Sequence, residues 1–479
     1  MKILPDVALT YDDVLLVPQY SNVNSRRVLN TKTCLTKKIA LQIPIVSANM
    51  DVVTETEMAI TMAREGGIGM IHRFMTIDEQ ARQIERVKKA ESFIVDHPIM
   101  MNETHTVGDV KAIVDETGTG GILILDKNDK LIGIVSTRDL LFEENDSKPV
   151  TEIMTREVHT AAPGTTLKEA ERLLHEYRVE KLPLVDANGK VVGLVTLKDI
   201  MKITKYPKAT KDTKGRLAVG AAVGVRDKEM RRVEAALHAG ADCIVVDIAH
   251  GDSNLEIEMI QNIRKHFPNA QIIGGNVASA DGTKRLIDAG VDAVKVGVGP
   301  GSICITRQVA GHGVPQLTAI IECAEAARPA GIPIIADGGI RHPGDVAKAL
   351  AAGAQTVMIG SLLAGTDESP GLIMTRRGHK YKASRGMASL GANIERNKRE
   401  GNDLTSDEIE EYVAEGVEAA VPYRGRAREV LTQLVGGLQS GMSYSGAHTV
   451  EELQEKAIFV RMTGAGLRES GPHDVEVMG

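Results

Sequence analysis

Cys304 lies in the run Gly297-Val-Gly-Pro-Gly-Ser-Ile-Cys304-Ile-Thr306-Arg307, a loop in which glycines at 297, 299 and 301 precede a thiol and a hydroxyl. A thiol in such a loop can reach an electrophile, and neighbouring amides help it ionise, so Cys304 is a candidate nucleophile. The other three cysteines, Cys34, Cys243 and Cys323, are widely spaced; Cys34 and Cys243 read as core residues. No CxxC pair occurs, so neither a disulfide framework nor a thiolate metal site is expected. Two further turns, Asp337-Gly338-Gly339 and Gly360-Ser361, expose backbone N–H groups where a phosphate could approach without meeting a Cβ. A phosphorylated substrate is one reading of these turns. The other is that the glycines only serve tight strand-to-helix turns. Asn49-Met50-Asp51, His72, Asp247 and Asn276 complete the set of polar candidates.

These residues share a setting: each follows a short, β-branched apolar run. The runs Ile43–Ser47, Ile68–Ile71, Leu217–Ala222, Cys243–Asp247, Ile272–Gly274, Ala293–Val296, Ile332–Ala336 and Thr356–Ile359 read as buried parallel strands. Helical stretches such as Lys228–Ala239, Asn254–His266 and Gly344–Ala352 separate them. Eight strands alternating with helices predict an α/β fold, a (β/α)8 TIM barrel whose chemistry gathers at the carboxyl ends of the strands. The barrel is interrupted after its second unit. Residues 1–91 and 207–479 form its two parts, and 92–206 an insert. Within the insert, Gly133-Ile-Val-Ser-Thr-Arg-Asp139 returns sixty residues later as Gly193-Leu-Val-Thr-Leu-Lys-Asp199, which divides it near 95–150 and 151–206.

The 479 residues carry 57 Lys+Arg against 64 Asp+Glu and 3% aromatics. That balance supplies no basic field or stacking surface for nucleic acid. No apolar run approaches the ~18 residues that cross a bilayer, so no membrane role is expected. The start lacks a basic-then-apolar leader, and a cytoplasmic setting follows as the expectation.

The repeated segment resembles the tandem cystathionine-β-synthase (CBS) motif pair over the whole insert. In that family the Ser/Thr-x-x-Asp near the end of each copy grips the ribose and phosphate of a purine nucleotide, which implies Ser136 with Asp139 and Thr196 with Asp199. Both aspartates equally suit caps of the helices that follow. The cysteine loop, the opening Leu9-Thr-Tyr-Asp-Asp-Val-Leu-Leu-Val-Pro18, Asn49-Met-Asp-Val-Val-Thr-Glu55, Ala336-Asp-Gly-Gly-Ile340 and the tail Gly466-Leu-Arg-Glu-Ser-Gly-Pro-His-Asp474 resemble, nearly end to end, the family of inosine-5′-monophosphate (IMP) dehydrogenases and their sister enzymes, the GMP reductases.

The resemblance implies that Cys304 attacks carbon 2 of IMP, that hydride passes to NAD, and that water hydrolyses the thioimidate to xanthosine monophosphate, a step toward guanine nucleotides. It implies that Asp337 holds the ribose, that Ser302, Gly338, Gly339, Gly360 and Ser361 cradle the phosphate, and that Met50, Gly386, Met387 and Glu415 meet the nucleotide. Asp247, Asn276, Gly297 and Gly299 would line the nicotinamide riboside. Thr306 with Glu415 would relay a proton. Backbone carbonyls of Gly299, Gly301 and Cys304 would hold a monovalent cation, K+, with Glu469, Ser470 and Gly471 of a neighbouring copy, which implies a homotetramer. Nucleotide on the CBS pair would join tetramers into an octamer.

Two positions depart from the dehydrogenase pattern. The mobile flap, about 387–421, there carries an adjacent Arg-Tyr pair whose arginine activates water; this chain has Asn397-Lys-Arg-Glu400, with Arg399 as the candidate. Ser384 stands where a phosphate-binding tyrosine is usual. GMP reductases share the cysteine and the Thr/Glu pair but lack the Arg-Tyr pair, so NADPH-dependent deamination of GMP to IMP is the alternative. A nucleotide-sensing CBS protein without catalysis is an alternative of another class, and a flavin-dependent barrel oxidase would leave the Cys304 loop unused.

Overall fold

The computed structural model describes residues 3–4, 6–91, 94–95, 97–226, 228–399, 404–473 and 475. Eight parallel strands close a barrel: β1 (Ile45–Ser47), β2 (Ile68–Ile71), β3 (Val219–Val223), β4 (Cys243–Asp247), β5 (Ile272–Val277), β6 (Ala293–Val296), β7 (Ile334–Asp337) and β8 (Thr356–Ile359). The circle closes where Val219 of β3 pairs with Gly69 of β2, and where Val357 of β8 pairs with Ile45 of β1. The fold is therefore the (β/α)8 barrel expected from the strand count.

Four strands match their expected limits; β3 (expected Leu217–Ala222) and β5 (expected Ile272–Gly274) are displaced or extended, and the late starts of two others have a local cause. β1 and β7 begin two residues late because Pro44 and Pro333, which lack an N–H, precede them. Both prolines still serve as acceptors: Pro44 O takes Val357 N–H and Pro333 O takes Val294 N–H. The helix Asn254–His266 has its expected limits, capped by Ser253, whose side chain accepts from Glu256 N. The helix expected from Gly344 starts one residue earlier, at Pro343, the position where a missing N–H costs nothing. Between β1 and β2 the helix Thr56–Arg64 lies close on the barrel, since a Cβ on Gly69 would come within 2.6 Å of Ala59 Cα.

By contact the chain divides into two units. One comprises Met1–Ala90, Lys208–Asp212 and Leu217–Gly479; the other comprises Glu91–Pro207 and Thr213–Arg216. The second unit holds two three-stranded sheets, each containing one copy of the repeat. In the first, Gly121–Leu125 runs antiparallel to Leu131–Ser136, and in the second Lys181–Val185 runs antiparallel to Val191–Thr196. The repeated glycines sit at equivalent places, Gly133 opposite Ile124 and Gly193 opposite Leu184.

Beyond β8 the barrel unit adds a three-stranded antiparallel sheet of Ile373–Arg376, His379–Arg385 and Glu418–Pro422. The span expected to be a flap contains the helices Leu390–Arg399 and Ser406–Glu411, with residues 400–403 outside the described set. Among the described residues no helix is long and apolar enough to cross a membrane.

Candidate active site

The cysteine loop is stitched to the segment that carries Glu415. Ile305 N–H donates to Glu415 O at 2.8 Å, Val417 N–H donates to Ile303 O at 3.0 Å, and Cys304 bridges Gly416. Gly386 joins both: its N–H donates to Val417 O, and a Cβ there would meet Gly416 Cα at 3.0 Å and Ile303 O at 3.2 Å. Gly416 and Gly386 are thus small because two backbones pass within van der Waals reach. The Cys304 thiol, half-buried, lies 3.2 Å from Thr306 Oγ1 and donates to it. Cys304, Thr306, Gly386 and the backbone of Glu415 are brought to one place from two segments of the chain, the cysteine loop and the stretch from Gly386 to Glu415.

The remaining cysteines differ in kind. Burial pushes the Cys323 thiol up to about 12 and the Cys243 thiol higher still. Cys34, read from sequence as core, is instead half-buried, because its two-residue strand lies outside the barrel, paired with Ala40–Leu41. Burial raises its pKa as well. Iodoacetamide at pH 8 is expected to modify Cys304 first and to leave Cys243 and Cys323 unlabelled, as peptide mass mapping would show. Labelling of Cys34 ahead of Cys304 would contradict this.

Both expected phosphate turns open at strand ends. Gly338 and Gly339 have φ of +92° and +83°, and a Cβ at Gly338 would come within 2.9 Å of Pro300 in the cysteine loop. Only glycine suits that backbone and that approach. The ring of Tyr11 underlies Gly339, and its buried hydroxyl has no partner among the described residues. Met50 packs over Gly360, 3.2 Å from where its Cβ would be. Gln316, not singled out in the sequence, ties the strand ends together by donating to Val296 O at 2.9 Å and Asp337 O at 3.1 Å.

The centre of the barrel mouth is organised by Lys295, which sequence reasoning missed. Its side chain is 2% exposed, and its ammonium donates to Asp247 Oδ1 at 2.7 Å, to Asp337 Oδ2 at 2.8 Å and to Asn276 Oδ1. Asn49 Nδ2 donates to Asp247 Oδ2 at 3.0 Å, and Asn276 Nδ2 donates to Gly297 O at 2.7 Å and Asp337 Oδ2 at 3.0 Å. Burial alone would raise the Asp247 carboxyl, but the Lys295 charge outweighs it and holds the group below the usual carboxylate range. The available signal was a charged residue inside the apolar strand Ala293–Val296, which must find partners if buried. Glu256 was missed too. It is fully buried, accepts from Gly275 N at 2.9 Å and so supports the Asn276 turn, and burial pushes its carboxyl well above the usual range.

Other expected residues take structural posts. His72 is fully buried; Phe74 N–H donates to its Nδ1, and its Nε2 lies 3.3 Å from Glu55. Arg399 donates to Phe74 O at 3.0 Å and to Glu395 Oε1 at 2.5 Å, and neither partner belongs to the cysteine loop. Arg385 joins Asp51 at 2.8 Å and Glu395 at 2.6 Å. Ser384 is buried with its hydroxyl unpartnered among the described residues. In the inserted unit Ser136 N–H and Oγ–H both donate to Asp139 Oδ2, at 2.7 and 2.8 Å, and Thr196 Oγ1–H donates to Asp199 at 2.6 Å. These are helix caps. Asp139→Ala is expected to cost about 1 kcal/mol of that unit's stability, read from its thermal transition; an unchanged transition would refute the cap's worth. In the tail, Glu469 ends the helix Gly464–Glu469, and the Ser470 hydroxyl donates to Gly466 O at 2.8 Å.

Residues 8–473 match the model of the IMP dehydrogenase / GMP reductase domain. The inosine-5′-monophosphate dehydrogenase of Nitrosopumilus maritimus is 52% identical over 98% of this chain and 99% of its own. The GMP reductase of Leishmania donovani is 47% identical over 98% of each. The crystal structure of a GMP reductase from Trypanosoma brucei in complex with guanosine 5′-monophosphate superposes with a TM-score of 0.88 at 46% identity, covering 98% of both chains. Matched by that family model over residues 8–473 and by relatives about half identical over nearly its whole length, this chain belongs to the IMP dehydrogenase / GMP reductase family of enzymes.

Proposed function

We propose that the protein oxidises IMP to xanthosine 5′-monophosphate through a covalent bond to Cys304. The observation that carries this reading is the Cys304–Thr306 contact at 3.2 Å in a loop stitched to Glu415. Sγ adds to carbon 2 as thiolate, and Thr306 Oγ1, with Glu415 as its onward acceptor, later takes a proton from the water that attacks the thioimidate. A bound nicotinamide dinucleotide supplies the acceptor for the hydride that leaves carbon 2. Water then breaks the C–S bond, and xanthosine monophosphate leaves with the thiol restored. Asp337 receives the ribose hydroxyls as an acceptor-only group. Ser302, Gly338, Gly339, Gly360 and Ser361 cradle the phosphate, and Met50 and Met387 border the base. Asp247 and Asn276, held by Lys295, with Gly297 and Gly299, face the nicotinamide riboside.

A monovalent cation such as K+ fits the loop by donor chemistry, since hard cations take carbonyl oxygens. Gly301 O accepts Cys304 N–H at 3.1 Å and keeps a second lone pair. Gly299, Gly301 and Cys304, with Glu469, Ser470 and Gly471 of a second copy, would hold it and so order the nucleophile loop in a homotetramer. The inserted unit fits a CBS pair whose nucleotides would promote octamers.

One observation favours a second reading, NADPH-dependent reduction of GMP to IMP: the Arg-Tyr pair is missing and Arg399 is engaged with Phe74 and Glu395. Both readings are tested by following reduced nicotinamide absorbance with IMP, K+ and NAD+ or NADP+, and separately with GMP and NADH or NADPH. Rising absorbance in the first mixture supports oxidation. A fall confined to the second establishes the reductase, and silence in both overturns enzymatic use of the site.

A further inference from the structure

Tyr11 is 1% exposed, yet its hydroxyl has no partner among the described residues. A buried hydroxyl without a partner keeps its desolvation penalty, and a phenylalanine would fill the same space without it. The segment that carries Tyr11 is pinned. Leu9 N–H donates to Thr318 Oγ1 at 2.8 Å and Thr318 N–H donates to Leu9 O at 3.1 Å, Lys348 Nζ donates to Tyr11 O at 2.9 Å, and Arg341 pairs with Asp12. A buried ring on so fixed a backbone leaves its hydroxyl little room to seek a partner elsewhere. A Cβ on Gly339 would lie 3.1 Å from Tyr11 Cε2 and 3.5 Å from Cδ2, so the Gly338-Gly339 turn covers the half of the ring that bears the hydroxyl. Both carboxylates near it are committed to other groups. Asp345 Oδ2 accepts from Arg341 N and His342 N, each at 2.9 Å, and Asp337 Oδ2 accepts from Lys295 and Asn276. Burial above all, then the charges of Asp345 and Asp337, push the phenol well up, so it stays protonated and able to donate.

We propose that Tyr11 is a positioning residue for the nucleotide's phosphate: its hydroxyl, held under the Gly338-Gly339 turn, donates to a phosphate oxygen, directly or through one water bound with it. The inference rests on the reading that this turn takes a phosphate, and it holds for either direction of the reaction. It adds a side chain from the start of the chain to a cradle otherwise made of glycine turns and serines. A phosphomonoester presents strong acceptor oxygens, and a protonated phenol meets them without adding a cation that would pair with Asp337 or Asp345 instead. The hydroxyl thus costs stability while the site is empty and is satisfied when the nucleotide arrives.

The test compares the full-length protein with its Tyr11→Phe variant by the thermal midpoint without nucleotide, by calorimetric binding of IMP and GMP, and by displacement of the bound nucleotide with inosine and guanosine. Without nucleotide the variant is expected to melt at the wild-type temperature or slightly above it, because the unpartnered hydroxyl is gone. IMP and GMP should bind about tenfold more weakly, as loss of a hydrogen bond to a charged group does, while inosine and guanosine stay within about twofold of wild type. A role confined to packing would move nucleotides and nucleosides together. A variant that melts lower or fails to fold gives the hydroxyl a partner inside the protein and overturns the proposal. Unchanged IMP and GMP affinities, or losses shared equally by the nucleosides, overturn it as well. In each of these cases the phosphate reading of the turn stands so long as the wild type prefers a nucleotide to its nucleoside by about a hundredfold. Absence of that preference overturns both.

Discussion

Replacing Cys304 by alanine is expected to lower kcat by about 10⁴-fold or more with whichever nucleotide the wild-type protein turns over, since removing a covalent nucleophile leaves only binding and orientation. The thiol stands half-buried in a loop, so the change should alter stability by about 1 kcal/mol or less. KM for the nucleotide should move little, because Asp337 and the glycine turns remain. Intact-mass spectra of quenched wild-type reactions should show a heavier, nucleotide-loaded chain, absent from Cys304→Ala. Retention of more than a tenth of kcat, with no adduct in the wild type, would remove the covalent route altogether. Thr306→Val separates the relay from the nucleophile: it should slow turnover by about 10²-fold while the adduct still forms, as loss of one acid–base group does.

The barrel was legible because strands buried on both faces leave continuous apolar runs, such as Ile68–Ile71 and Thr356–Ile359, with polar residues just past their ends. Two of those runs were read straight through Pro44 and Pro333, and the strands begin just after them. The cysteine loop was legible because three glycines within five residues leave few other uses for the segment. Interactions between distant residues were not. Asp51 and Arg385 meet across 334 positions, and nothing in either local pattern announces the other. The 390–399 segment shows the same divide. Glu395 and Arg399 stand at helical spacing and form an i,i+4 pair, but the docking of Arg399 on Phe74 depends on the fold. Lys295 lies between these cases. A lysine in a four-residue strand otherwise of Ala and Val needs partners, yet the sequence does not say that they are Asp247 and Asp337.

Lys295 carries the second large effect. Its ammonium separates two carboxylates that face one another across the barrel mouth, so Lys295→Met leaves buried charge without its partner. Breaking such a pair costs about 3–5 kcal/mol. The pH dependence distinguishes this from a packing defect. In the wild type the Asp247 carboxyl sits below its unfolded value, so its contribution is present above about pH 4 and fades as pH falls through the lowered pKa. Without Lys295 burial dominates and the carboxyl moves above its unfolded value, so the variant is relatively most stable in acid and loses stability as pH rises through the raised pKa. The deficit in the barrel's thermal midpoint should therefore be larger at pH 7.5 than at pH 5.5, and Lys295→Met/Asp247→Asn should recover part of it at pH 7.5. At pH 7.5 kcat/KM should fall about 10³-fold, with KM raised for both nucleotide and dinucleotide because each loses a positioned carboxylate. An equal deficit at both pH values would assign Lys295 to packing alone, and a rise confined to one KM would break the link it makes between the two halves of the site.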